Sequence, residues 1–509
     1  MYVIDWLLKQ ANNHPNKTAL VDLATNRRFT YRQFNERASR FGEFLRDRWG
    51  IRMGDRVAVL AHNSSDYFEM LYGCGKIGAI MVCLNWRLSV VEHRGVIQDS
   101  APRALVFGHE FDEAAKELLA HGGIEHAMRL GPSAEGVTSY EEALASASGS
   151  TVEMPCWSMD DVWYLLYTSG TTGKPKGVIQ TYGMTFFNGV NAMHAAKLSR
   201  DDVLLSVLPF FHTGGLNLYA NPLFQCGGSV VIMKQFDVDK TMELLEGEVT
   251  VMFGVPAIYL FLSQHARFAA ADFSRVRSWA CGGAPISKTL LEQYLAKNVT
   301  ICFGFGMTET GPTAFLTDEA TARTKVGTVG RPVTYTLTKV VDPTTRRELG
   351  ANQRGELLLK GPGITPGYWN NAEATKNAFQ DGWLCSGDVA YYDEDGDYYI
   401  VDRSKDMYIS GGENVYPAEL ENVIFQMPEV AEVAVIGVAD AKWGEVGKAI
   451  VALKPGKAAT ADEITAFCRA RLAGYKAPKH YEFVPALPRN AAGKVEKPKL
   501  REMFGQKKS

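Results

Sequence analysis

The run Tyr167-Thr168-Ser169-Gly170-Thr171-Thr172-Gly173-Lys174-Pro175-Lys176-Gly177-Val178 packs three glycines, four hydroxyls and two lysines into ten residues. So little steric bulk lets backbone N–H groups wrap a phosphate while the lysines supply positive charge. The order differs from G-x-x-x-x-G-K-[ST], so this is not a Walker A loop. A second stretch with chemical potential is Pro209-Phe210-Phe211-His212-Thr213-Gly214-Gly215. Its histidine follows an apolar strand pattern, and the ends of such strands are where ligands bind in open α/β sheets.

Both stretches need elements to hold them. Val162 to Tyr167 is an apolar run that reads as a buried strand feeding the glycine-rich loop. Val203 to Leu208 reads as the strand before His212. Residues up to about 150 alternate helical patterns with short apolar strands. Phe29 to Phe34 leads into an amphipathic helix ending near Gly50, Asp55 to Leu60 is a strand, and Tyr67 to Gly78 a helix. Met81 to Leu84 is the next strand, and Asn85 to Leu88 opens a loop into another helix. Such alternation predicts mostly parallel sheets with helices on their faces. Ser146 to Met159 reads as a polar, small-residue connection, and no internal repeat is visible.

With 509 residues the chain is too long for one core, so two or more domains are expected. A net charge of -3 and the lack of a basic block speak against nucleic acid as a partner. The first nine residues carry Asp5 and are too short for a secretory signal. No apolar run reaches the roughly 18 residues of a membrane helix. The eight cysteines, without a C-x-x-C, read as reduced residues of a cytoplasmic protein.

From Tyr167 to Lys494, blocks recur in the order that marks the adenylate-forming superfamily, and the chain resembles its acyl-CoA and aryl-CoA ligase branch. The resemblance implies an α/β fold. A large N-terminal domain (1–403) of mixed, mostly parallel sheets would bind ATP and acid, and a small mobile α+β domain (404–509) would turn on a hinge near Lys405. Thr168, Ser169, Gly170, Thr171, Thr172, Gly173 and Lys176 would bind the nucleotide phosphates. Gly283 and Ala284, in Ser278-Trp-Ala-Cys-Gly-Gly-Ala-Pro285, would line adenine and acid, together with Phe303 and Gly304. Glycines suit such close approach. In Cys302-Phe-Gly-Phe-Gly-Met-Thr-Glu-Thr-Gly311, Thr308 would touch the α-phosphate and Glu309, with Thr168, would hold Mg²⁺, a cation that takes carboxylate and phosphate oxygens. Asp388 of Ser386-Gly387-Asp388 would accept both ribose hydroxyls, since a carboxylate is acceptor-only. Arg403 would also reach the ribose. His212 would gate the acid pocket, Gly411 and Gly412 would line the pantetheine passage, and Lys494 would bridge carboxylate and α-phosphate.

The implied reaction has two steps. ATP and the acid give acyl-AMP and pyrophosphate; coenzyme A then gives the thioester and AMP. Peptide-synthetase relatives carry an aspartate near the His212 segment that holds the substrate's ammonium; this chain has none, and an unpaired buried cation is costly. Phe211, His212, Phe303, Phe305, Met307 and Phe315 predict an apolar pocket for a fatty, aromatic or phenylpropanoid acid. A stand-alone adenylation enzyme that loads a carrier protein is the alternative. A non-catalytic nucleotide-binding scaffold and a luciferase-type oxidative activity are more distant ones. A homodimer is left open.

Overall fold

The computed structural model describes the chain except residues 122, 134–135, 150–151, 153, 155, 170–174, 285, 404–405, 411–412, 441–442, 491–493 and 506–509, and except the side chains of 169, 403, 413 and 414. Its first sheet has seven strands. Arg56–Leu60, Ile80–Cys83, Ala104–Gly108, His126–Leu130 and Thr138–Ser139 run parallel beside Val162–Ser169, and Pro175–Thr181 pairs antiparallel at the edge. The second sheet has nine strands, with Ser229–Ile232, Val203–Ser206, Val251–Gly254, Ser278–Gly282 and Ile301–Phe305 parallel at its centre.

Strand alternation shows how the layers stack, because successive side chains point to opposite faces. Val57, Val59, Met81 and Cys83 of the first sheet join Leu20, Leu204, Val230 and Ala280 of the second in one core. Helical residues Leu7, Phe34, Phe41, Phe68, Tyr72 and Phe224 fill that core between the sheets. The intervening residues face outward into separate clusters, Ala58, Leu60, Ile80 and Val82 on one side and Leu205, Val231, Met252 and Trp279 on the other. Strands buried on both faces explain the near-continuous apolar runs in the sequence.

A third sheet, entirely antiparallel, is built from Leu337–Val341, Gly355–Lys360, Phe379–Gln380, Trp383–Tyr392 and Tyr398–Arg403. Beyond it, two clusters that include Val415, Leu420, Val435, Ile464, Ile450 and Leu500 draw all their buried members from 408–500. This last sheet joins Tyr408–Ser410, Glu413–Val415, Val430–Asp440, Gly444–Leu453 and His480–Phe483, with helices Pro417–Ile424, Ala461–Arg469 and Lys497–Phe504.

Several boundaries differ from expectation. The helix after Thr30 spans Tyr31–Arg48, because Thr30 and Gln33 form a reciprocal cap there. The strand before His212 stops at Ser206, and Pro209 lacks the N–H to extend the ladder. The connection at 146–159 holds a two-residue strand, Trp157–Ser158, paired with Tyr2–Val3.

Candidate active site

The glycine-rich stretch lies on a β-hairpin. Val162–Ser169 and Pro175–Thr181 pair antiparallel, with Thr168 opposite Lys176 and Ser169 opposite Pro175. Of the expected phosphate-binding residues, Gly170, Thr171, Thr172 and Gly173 lie outside the described residues, as does Lys174. The hairpin needs Gly177: a Cβ there would stand 2.9 Å from the Tyr167 ring and 3.2 Å from Trp369.

The hairpin is also what positions Thr308 and Glu309. Trp369 donates its N–H to Gly177 at 2.7 Å, and Tyr368 bridges to Val178, so 368–369 is laid along the hairpin. From there the Tyr368 hydroxyl donates to Glu309 Oε1 at 2.9 Å. Thr365 N–H donates to the Glu309 carbonyl at 2.8 Å, and Gln180 Nε2 to the Thr308 carbonyl at 3.0 Å. Burial first, and the Glu309 charge after it, raise the Tyr368 pKa, which keeps its donor proton in place. Lys176 Nζ lies over the Tyr368 ring at 5.3 Å.

Glu309 is 7% exposed, and among the described residues its Oε2 accepts no hydrogen bond. A carboxylate fixed at one oxygen and open at the other, in a turn bonded to the hairpin that carries Thr168, fits the demands of Mg²⁺ for hard oxygen ligands. A cluster of Asp393, Asp395 and Asp397 lies elsewhere, but Lys325 Nζ sits 2.7 Å from each of them and supplies the cation.

At the carboxyl ends of the second sheet, Gly282 and Gly304 are paired neighbours. A Cβ on Gly282 would stand 2.9 Å from the Gly304 carbonyl, and one on Gly304 would stand 2.8 Å from that of Phe315. Gly283 has φ +82°, a left-handed conformation that glycine adopts without strain, and it is exposed with Ala284. Phe303, Phe305 and Met307 are partly exposed, as a pocket wall requires. Phe315 departs from expectation: at 1% exposure, its ring packs 5.0 Å from Tyr398 and 6.0 Å from Phe305 as part of the core.

Asp388 is 2% exposed and stands opposite Arg403 across an antiparallel pair, so the two expected ribose contacts share one register. Ser386 Oγ donates to the Leu357 carbonyl at 2.7 Å and accepts the Asp388 N–H at 3.0 Å, which fixes the strand at this point.

His212 caps the helix Thr213–Asn217, with Nδ1 accepting the Gly214 N–H at 3.1 Å. That bond assigns the ring proton to Nε2. Burial, helped by the Lys494 ammonium, lowers the His212 pKa to about 4, so the ring is neutral near pH 7. Lys494 is exposed and its N–H donates to Asn490 Oδ1 at 3.0 Å. Its charge is near enough to His212 to add to the lowering of that pKa. Lys405, Gly411 and Gly412 lie outside the described residues.

Sequence reasoning missed Gln180, Thr365 and Tyr368 as positioning residues. Nothing in one sequence ties Tyr368 to a glutamate 59 positions away.

These features have counterparts among known proteins. The AMP-binding enzyme family model matches residues 7–369, and that of the AMP-binding enzyme C-terminal domain matches 419–494. The chain belongs to the AMP-binding enzyme family. It is an AMP-forming acid–thiol ligase. It is 39% identical over 501 residues to a feruloyl-CoA synthase of Amycolatopsis sp, covering 98% of each chain. To a long-chain-fatty-acid–CoA ligase of Mycobacterium tuberculosis it is 37% identical over 506 residues, again covering 98% of each. Among solved structures it is similar to o-succinylbenzoate CoA synthetase from Bacillus subtilis in complex with an acyl-adenylate intermediate, with a TM-score of 0.87, 30% identity and 98% of each chain covered. Among the described residues, no helix is long and apolar enough to cross a membrane.

Proposed function

We propose that this ligase joins an apolar carboxylic acid, aromatic or fatty, to coenzyme A by way of an acyl-AMP. A carboxylate resists attack by a thiol because an oxide-like group would have to leave. In the first step a carboxylate oxygen of the acid attacks the α-phosphorus of ATP and pyrophosphate departs. In the second, the thiolate attacks the acyl carbon and AMP departs.

The first step drives an anion toward a polyanion. At about 4 Å and an effective dielectric near 20, each like-charge pair costs roughly 4 kcal/mol. Lys494 and the hairpin residues Thr168 and Lys176 offset this repulsion with charge and dipoles already in place. Mg²⁺, held by Glu309 and Thr168, would neutralise phosphate charge when bound. Asp388 and Arg403 hold the ribose, and Gly283, Ala284, Phe303 and Gly304 offer a low surface to base and acid. Neutral His212 adds no charge beside an apolar acid.

The observation that carries this reading is the Tyr368–Glu309 pair anchored to the hairpin that bears Thr168 and Lys176. The two ligases named above act on a phenylpropanoid and a fatty acid, in keeping with the apolar side chains of Phe303, Phe305 and Met307. All eight cysteines are free, which supports a cytoplasmic setting. The test is to incubate the purified chain with ATP, Mg²⁺, coenzyme A and a panel of cinnamic, benzoic and fatty acids. AMP, pyrophosphate and an acyl-CoA are expected. ADP in place of AMP, or activity only with a phosphopantetheinylated carrier, would overturn the reading.

A further inference from the structure

The strand Pro175–Thr181 stands at the edge of the first sheet, so the hairpin that carries Thr168 and Lys176 is held on that side by something other than a strand of its own sheet. Residues 368–369 lie along this edge, and both hairpin and edge are tied to one residue, Asp99, near the end of the helix Val90–Ser100. Tyr167 pairs with Gly177 across the hairpin, and its phenol passes over that glycine, with the hydroxyl 3.1 Å from where a Cβ would stand. The hydroxyl then donates to Asp99 Oδ2 at 2.5 Å. Asn370 Nδ2 donates to the Asp99 carbonyl at 2.9 Å.

The first of these bonds is of a strong kind, a hydroxyl donating to a carboxylate. Burial first, and the bond to Asp99 and its charge after it, raise the Tyr167 pKa, which keeps the donor proton in place. The Ser100 hydroxyl also stands beside the phenol, and its own proton goes to the Val96 carbonyl at 2.7 Å. The helix end is itself anchored. Arg56 donates to the carbonyls of Ser100 and Ala101 at 2.7 and 2.8 Å, and its guanidinium lies 5.9 Å from the Trp369 ring. The hairpin ladder forms through backbone pairing without the phenol, so what the hydroxyl adds is a fixed seat for the hairpin on the helix.

Resting on the acid-ligase reading, we propose that Asp99 is a positioning residue for the nucleotide phosphates: through Tyr167 and Asn370 it sets the hairpin and the segment that orients Glu309 in one fixed relation. Each tie ends close to a group assigned to ATP or its cation. Tyr167 precedes Thr168, Gly177 follows Lys176, and Asn370 stands two residues from Tyr368.

The probe is ATP with Mg²⁺ and no acid, titrated calorimetrically into the full chain, so the result does not depend on which acid the protein takes. Tyr167→Phe, which keeps the ring over Gly177, and Asp99→Ala should each weaken ATP binding about tenfold, the scale on which losing the partner of an orienting group acts. Asp99→Asn keeps an acceptor oxygen for the phenol and should stay within about threefold of the wild type. The double variant, Asp99→Ala with Tyr167→Phe, should bind no more weakly than the weaker single one, because both remove the same bond. Melting of each variant separates this from a general loss of stability. Should Tyr167→Phe fail to fold, Asp99→Ala, at a partly exposed site, decides. ATP affinity unmoved in the folded variants, Asp99→Asn as weak as Asp99→Ala, or additive losses in the double variant overturns this inference and leaves the ligase reading standing. No ATP binding by the wild-type protein sinks both.

Discussion

Tyr368 and Glu309 show how one hydrogen bond can ready a carboxylate for a cation. The phenol takes up Oε1, and the Thr365 N–H and the Gln180 side-chain amide hold the segment through its carbonyls, so Oε2 is oriented before any ligand arrives. Removing the orienting partner of a ligand typically weakens metal binding 10–100-fold. Tyr368→Phe should therefore raise the Mg²⁺ concentration for half-maximal adenylation about tenfold with little change at saturating Mg²⁺. Glu309→Gln should lower saturated adenylation about 10²-fold or more. Equal behaviour of the two variants in an Mg²⁺ titration of ATP–pyrophosphate exchange would contradict these roles. His212 makes a separate prediction. Its folded pKa of about 4 lies below the ordinary 6.5, so between those values the unfolded chain binds a proton that the folded chain refuses. Stability from this group is complete above pH 6.5, declines as pH falls, and levels off below about 4. Between pH 4 and 6.5, thermal melting of His212→Gln should fall less steeply with acid than that of the wild type; parallel curves would refute a neutral His212.

Elements meet most tightly around the strand Ile301–Phe305 and the turn after it. A Cβ on Gly306 would lie 1.5 Å from the Pro312 carbonyl oxygen, and backbone cannot yield that far without moving the Thr308-Glu309 turn. Gly306→Ala should cost at least about 2 kcal/mol in denaturant unfolding. Gly350→Ala, with nothing within 4 Å of its added Cβ, should stay within about 0.5 kcal/mol. A Gly306→Ala protein as stable as the control would show that the turn is soft. The same region marks how far sequence alone could reach. Strands and helices with apolar periodicity were legible, because Val57 and Val59 against Ala58 and Leu60 is a two-sided burial pattern that the sequence carries locally. The blocks expected to bind the nucleotide stood out in the sequence through their glycines and carboxylates. Illegible were contacts between distant segments. The hairpin pairing of Thr168 with Lys176 needs a turn geometry the residues do not announce, and Tyr368 needs a fold to reach Glu309. Phe315 looked like pocket wall because aromatic residues serve cores and pockets alike, and only its packing on Tyr398 separates the two.

At the scale of the molecule, the question is how one site serves two reactions. Among the described residues, the apolar clusters of 408–500 include no buried residue from the rest of the chain, which supports treating the C-terminal region as a unit able to move. In the structure it is tied to the rest of the chain where Asp402 Oδ2, on the strand before the proposed hinge, accepts the Ala418 N–H at 2.8 Å, and the Lys494 charge is near enough to His212 to add to the lowering of its pKa. We propose that both links belong to an arrangement that serves the first reaction, where charge at the α-phosphate counts most. A rotation near Lys405 would break both contacts and carry Gly411 and Gly412 inward, with a few residues absorbing the change in dihedrals. The two half-reactions should then respond differently to the loss of Lys494. Lys494→Ala is expected to lower ATP–pyrophosphate exchange by at least about 10²-fold, in line with losing one preorganised charge. Thioester formation from supplied acyl-AMP and coenzyme A should stay within about threefold of wild type, because this step makes no demand on that ammonium. If both half-reactions drop together, the lysine is needed throughout and the two-arrangement scheme fails. If neither drops, the charge that offsets the carboxylate–phosphate repulsion comes from the hairpin alone.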